Sequence, residues 1–383
     1  MPIDQIGLFG YHNINAYGAV GDAHYDDTAA IQRAFTAVPN TGGKVFIPPG
    51  QYRLTSHINV MADRTEVEVD AGAVIVQSTV DYGYILDLNN HSYCLIDGLH
   101  VQGAGKETHN GRGSIHMGGS CTNNVLRNCR VDNVAGTGIV DDGNYNMIEG
   151  CFITETGEHG IYSSSAYGSQ YIGNQIKDAG LNATLTGNFD SIKLSGSQQC
   201  VVHGNHIRDC VNGILLTDNA TMNAILGNTV KGATLNEIRL ASVTLNRFIG
   251  NILWHTVSGT DCIRITSGAA QQNDFIDNTI QRDAANGCGI NWTGSEPLGA
   301  DTVKGNRFYA TVAHTGTYPA VMIAGENVTK VLVQGNYVYS SNWNTAYRVS
   351  GGGIANQFIY NVSNGPATRL NDGGVSTIAL WAD

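Results

Sequence analysis

Asp142 and Asp190 are the carboxylates best placed for acid and base work, with His159 set to modulate their proton affinity and Lys193 three residues beyond Asp190. Hydrolysis of a glycosidic bond needs one carboxylic acid to protonate the leaving oxygen and a second carboxylate to activate water or attack the sugar. A β-elimination needs a base for the proton beside a uronate carboxylate and positive charge for the carbanion, roles open to Lys193, Arg239 and Arg264. Tyr162 offers a ring that can stack on a sugar, and Glu237 a further carboxylate. Each residue also has a plainer role. Asp142 and Asp190 suit turns, His159 a satisfied turn position, the three cations a solvated face, and Glu237 a surface ion pair with Arg239. Asp141 falls on the inward register and reads as a turn cap.

These residues meet only if the chain stacks on itself, and a repeat provides the stack. An apolar-x-Gly-Asn-x-apolar pattern places Asn174, Asn205, Asn228, Asn251, Asn278, Asn306, Asn336 and Asn361 at intervals of 31, 23, 23, 27, 28, 30 and 25 residues. Cys151, Cys129 and Leu99 extend the series backwards. Such a period fits one coil of three short strands and three turns, with stacked asparagines bonding one another and the turn backbone. Helical repeats would need helices that this Gly, Asn, Thr and Val content does not support. The expected fold is therefore all-β: a right-handed single-stranded parallel β-helix with an N-terminal capping α-helix.

A second register follows about ten residues later. Ile115, Ile139, Ile161, Ile192, Ile214, Ile238, Ile263, Ile290 and Val321 form its inward column, and alternation turns the next residue outward. That column places Tyr162, Lys193, Arg239 and Arg264 on one face, with Asp142 and Glu237 alongside. At about 4.8 Å per coil, Asp142 and Asp190 lie about 10 Å apart along the axis, near the upper limit for an inverting pair. Val140, Leu215 and Met322 are expected as exposed apolar positions, compatible with a homotrimer. The long segment between Asn174 and Ile192 is a candidate cleft wall. The chain reads as one domain: entry and capping helix over 1–40, coils over 41–365, and a C-terminal cap over 366–383 that leaves the repeat as a terminal strand or cap.

The opening INAYGAVGDAHYDDTAAIQRAF, followed by GGKVFIPPGQYRL, resembles the entry segment of the pectate-lyase-like superfamily, which includes polygalacturonase-related hydrolases and phage tailspike depolymerases. The resemblance implies a β-helix and a carbohydrate substrate. Polygalacturonases carry an Asp-Asp pair, a Gly-His-Gly and an Arg-Ile-Lys on successive coils, and the nearest matches are Asp141-Asp142, Glu158-His159-Gly160 and Ser191-Ile192-Lys193. By that likeness Glu158 joins the substrate-binding set of Tyr162, Glu237, Arg239 and Arg264. The order agrees, but the Asp pair stands at a strand end rather than before the strand, and no Asn-Thr-Asp precedes it. The Asp-Pro-His-Glu motif of epimerases is absent.

Three activities remain open: a glycoside hydrolase, favoured; a polysaccharide lyase, which could use calcium; and a non-catalytic glycan-binding or tail-fibre module. No cofactor or metal site is expected for the hydrolase. Eight cysteines show no CxxC and no zinc-like spacing with His, so small buried thiols are expected, although Cys129 and Cys151 sit at equivalent places and could bridge. A net charge of −11 argues against a nucleic-acid partner, and no run of eighteen apolar residues argues for a membrane partner. The chain as given shows no readable export signal, while the resemblance implies a secreted or virion-associated protein.

Overall fold

The computed structural model describes residues 10–78, 83–105, 113–180, 189–266, 270–293, 298–313, 318–324, 328–339, 342–343, 345–350, 355–364, 368–372 and 378–381. They form a right-handed parallel β-helix of about 12 turns with a single α-helix. The chain divides into two compact units, residues 1–192 and 193–383, and the strand Asp190–Ser195 spans the division.

In the first unit the opening coil gives two strands, Tyr11–Asn13 and Asp22–Asp26, followed by the helix, and the coils after it give three, one to each of three parallel sheets. Val125–Arg127, Arg130–Val134 and Ile139–Asp141 make one coil, and Met147–Glu149, Phe152–Thr156 and Ile161–Ser164 pair with them in register from the next. Alternation sends Leu126, Val131 and Ile139 inward to zero exposure, with Ile148, Ile153 and Ile161 stacked on them. The turn between first and second strands requires a left-handed residue, supplied by Gly150 at φ 62° and Gly173 at φ 63°, where glycine carries no steric penalty. This requirement explains the Gly that precedes the repeating Asn.

The helix Thr28–Thr36 buries Ala30, Ile31, Ala34 and Phe35. Ile31 and Phe35 face Ile47, Leu54 and Val67, so the helix covers the end of the apolar interior as expected. Its cap differs in detail. Asp27 occupies the N-cap position, yet its carboxylate accepts the Val20 and Gly21 N–H groups, while Asp26 accepts the Thr28 N–H at 3.1 Å.

In the second unit the asparagine ladder is continuous. The side-chain amide of Asn205 donates to Asn228, and Asn228, Asn251, Asn278, Asn306 and Asn336 each donate in turn to the next at 2.9–3.0 Å. A second ladder, not expected from the sequence, runs through Asn223, Asn246, Asn273 and Asp301. The C-terminal residues do not leave the repeat. Thr368–Asp372 and Ile378–Trp381 continue the parallel pairing with Thr345–Val349 and Gln357–Ser363.

All eight cysteines are free and buried, including Cys129 and Cys151. Among the described residues no helix is long and apolar enough to cross a membrane.

Candidate functional site

The outward column of the third sheet in the first unit reads Asn59, Asp87, His116, Val140, Tyr162 in direct register. On it His116 is clamped between two carboxylates. Its Nδ1 lies 3.0 Å from Asp87 Oδ1 and its Nε2 3.1 Å from Asp142 Oδ2. Tyr84 stacks on the ring with centroids 3.8 Å apart, and Gly118 passes so close to the ring edge that a side chain there would overlap it. Burial alone would lower the His116 pKa, but the hydrogen bonds to Asp142 and Asp87 outweigh it and raise the pKa to about 9. The imidazolium in turn overcomes the burial of Asp87 and lowers that carboxyl.

Both carboxylates keep contact with solvent, at 22% and 34% side-chain exposure for Asp87 and Asp142. Asp87 Oδ1 also accepts the Asn89 N–H, and its Oδ2 makes no hydrogen bond among the described residues. Asp142 Oδ1 is enclosed with no partner among them. Asp141, as expected, points inward, accepting from Gly143, Asn146 and Tyr171, and burial raises its pKa.

His159 and Asp190 are also brought together, but elsewhere. His159 Nδ1 accepts the Asp190 N–H at 3.0 Å and lies 3.4 Å from Asp190 Oδ2. The ring packs against Tyr162 and Phe189, with centroids 5.3 and 5.4 Å away, and Asp190 has no exposure. The structure does not join Asp190 to Asp142. The Gly160 N–H bonds Asp190 O just as the Gly138 N–H bonds His159 O, so Asp190 and His159 lie level with Thr137 at the strand entry. Asp142 is five residues further along, about 16 Å at strand rise, well beyond the roughly 9.5 Å limit for an inverting pair. An axial estimate overlooks this lateral offset. Glu158 is half-buried beside this couple, with Oε2 3.3 Å from Thr137 Oγ1. Of the proposed cleft wall, residues 181–188 lie outside the described residues.

Within the second unit, Lys193 and Arg239 are half-buried and Arg264 is exposed, with Arg239 directly opposite Arg264. Neither arginine forms an ion pair among the described residues, so the direct opposition of like charges is uncompensated there.

Glu237 does not join that outer face. It has no exposure, and its Oε2 lies 2.6 Å from Nδ1 of the equally buried His255. The N–H groups of Glu237 and Ile238 both point at Cys262 O, a bend that turns two successive side chains inward and breaks strand alternation. Equivalent positions hold small residues such as Gly213, where a side chain would sit 2.4 Å from Val230 Cγ1. Val140 and Leu215 are likewise buried, at 4% and 7% exposure, rather than exposed. A side chain at Gly113 would come within 3.0 Å of Val140 Cγ2, which shows what covers that position.

The sequence alone does not single out His116 and Asp87 as candidates. The available signal was His116 in the outward column two coils before Tyr162; Asp87 sat in a coil without a recognisable ladder residue.

A family model described as "Rhamnogalacturonase A/epimerase, pectate lyase-like" matches residues 11–68, one described as "Right handed beta helix region" residues 66–230, and one described as "Periplasmic copper-binding protein (NosD)" residues 181–311. Among solved structures, the Dettilon tailspike protein is similar at 13% identity and TM-score 0.67, over 95% of this chain and 68% of that one. The family 28 exopolygalacturonase of Yersinia enterocolitica matches at 15% identity and TM-score 0.59, over 97% and 78%. The surface adhesin PfbA of Streptococcus pneumoniae matches at 14% identity and TM-score 0.60, over 96% and 91%. At these identities the structures speak to fold. The family models support the pectate-lyase-like superfamily of right-handed parallel β-helix proteins for this chain, and the solved structures bear on its fold alone.

Proposed function

We propose that this protein hydrolyses glycosidic bonds of a poly- or oligosaccharide on the third-sheet face of its first unit. The observation that carries the reading is the Asp87–His116–Asp142 clamp. Two hydrogen bonds and the width of one imidazole separate the carboxylates, a span of the order of the roughly 6.5–9.5 Å found in inverting glycosidases.

In this reading Asp142, whose side chain is 34% exposed, takes the proton of the attacking water. Asp87 delivers a proton to the leaving oxygen, drawing on the one held at His116 Nδ1. Exclusion of water by bound substrate favours that transfer, because the neutral pair is less costly than the ion pair in a low dielectric. Tyr162 supplies a stacking surface, and the His159–Asp190 couple with Glu158 positions the glycan at the strand entry. The names of similar proteins, an exopolygalacturonase and a tailspike, support a glycan as substrate, and an extracellular or virion setting accords with that.

The test is a panel of neutral and uronate polysaccharides, followed for reducing ends and for unsaturated product. Reducing ends alone, lost in Asp142→Asn and Asp87→Asn, support the proposal. Unsaturated ends lost in Lys193→Ala replace it with a lyase, and silence across the panel leaves a binding module.

A further inference from the structure

A cleft of about 550 Å³ opens in the first unit between the helix Thr28–Thr36 and the chain leading into the strand Ile58–Asn59. Six of its ten lining residues carry a hydroxyl or an amide, set among apolar surface that includes Ala29 and Met61. Gln32 anchors one side: its Oε1 accepts the Asn59 N–H at 2.8 Å and its Nε2 donates to Asn59 O at 3.1 Å. That double bond from a side chain completes the open edge of the third sheet and holds Asn59 still.

Two lining side chains, the half-buried Ser56 and the exposed His57, have no hydrogen-bond partner among the described residues. The carboxylate in the cleft, Asp26, already takes the Thr28 and Thr55 hydroxyls, each at 2.6 Å. The cleft adjoins the clamp. Asn59 stands in direct register with Asp87, so one coil, about 4.8 Å, separates them.

The chemistry favours a neutral, hydroxyl-rich ligand. An anion would meet Asp26 in the cleft and Asp87 one coil on, with His57 as the one titratable base on its lining. Mixed donors and acceptors suit hydroxyls, which donate and accept alike. The volume falls in the range of roughly 300–1,000 Å³ typical of small-ligand sites. From this we infer that the cleft is a subsite for a neutral sugar unit of a glycan laid along the third-sheet face. The inference rests on the glycan reading of that face and adds where one unit sits and that it carries no charge.

Binding without turnover tests it. Calorimetry would titrate the full chain carrying Asp142→Asn with cellopentaose, maltopentaose, laminaripentaose, mannopentaose and pentagalacturonate. At least one neutral pentasaccharide should bind. Ser56→Trp, which fills the cleft, should weaken that binding about tenfold or more, and the milder His57→Ala about threefold, with thermal unfolding unchanged in the latter. Undiminished affinity in both variants, preference for pentagalacturonate, or binding of none overturns the inference. The hydrolysis panel is read separately. Binding as expected without reducing ends keeps the cleft and removes the hydrolase, whereas reducing ends with cleft variants that bind normally do the reverse.

Discussion

Glu237 and His255 meet at 2.6 Å in the interior of the second unit, where neither side chain has any exposure. His255 Nε2 is held in turn by Thr260 Oγ1 at 2.8 Å, while Glu237 Oε1 has no partner among the described residues. Removing one partner of a buried pair strands the other. His255→Ala should therefore cost about 3–5 kcal/mol, and Glu237→Gln clearly less, because the amide keeps a hydrogen-bonding group of the same shape beside the ring. Urea unfolding of both variants checks the order; equal costs would overturn it.

The clamp predicts an activity loss and a pH signature. Asp142→Asn and Asp87→Asn should each lower turnover by about 10²–10⁴-fold. The raised pKa of His116 means its stabilisation is complete below the unfolded value near 6.5 and is lost as pH rises through about 9. The lowered pKa of Asp87 gives the opposite limb, present above its unfolded value near 3.8 and lost as pH falls below it. Unfolding free energies between pH 3 and 10 should show a loss of about 2 kcal/mol on the alkaline limb, allowing for screening, that is absent in His116→Gln.

Asp301 predicts a slope of its own. Burial outweighs the hydrogen bonds from Trp292 and Asn273 and pushes its pKa up to about 7. Stability from this residue is therefore fully present below pH 3.8 and falls as pH rises towards and through 7. Asp301→Asn should flatten that slope between about pH 4 and 7, though at a constant cost, because an amide cannot accept on both sides as Asp301 does from Asn273 and Trp292. An unchanged slope would place the titration elsewhere.

The thiols should be silent. All eight are buried, and burial raises Cys94 to about 11. Native protein should react with almost no thiol reagent within minutes, and unfolded protein with eight equivalents. Fewer than eight after unfolding without reductant would reveal a disulfide.

How much of this was legible in the sequence depended on whether a residue's role is set by its own coil or by its neighbours. The ladder asparagines and the inward isoleucines repeat at fixed places, so periodicity found them. The second ladder carried a readable signal too: Asn223, Asn246, Asn273 and Asp301 each precede a first-ladder Asn by five residues. Glu237 misled because alternation holds within a strand but not at its bent entry. The pairing of Asp142 with Asp190 does not hold in space, since stacking distance was counted and position along the strand was not. The clamp itself joins residues 29 and 26 positions apart, and no local pattern announces it.

The ladder of the second unit also frees coil length from coil rise. Successive asparagines are 23, 23, 27, 28, 30 and 25 residues apart, yet their amides meet at 2.9 or 3.0 Å every time. The step height thus stays constant while the number of residues per step varies, like stairs of equal riser and unequal tread. Insertions can then accumulate on the outside of a coil without disturbing the coils above or below, and a surface can change its ligand while the interior keeps its pitch.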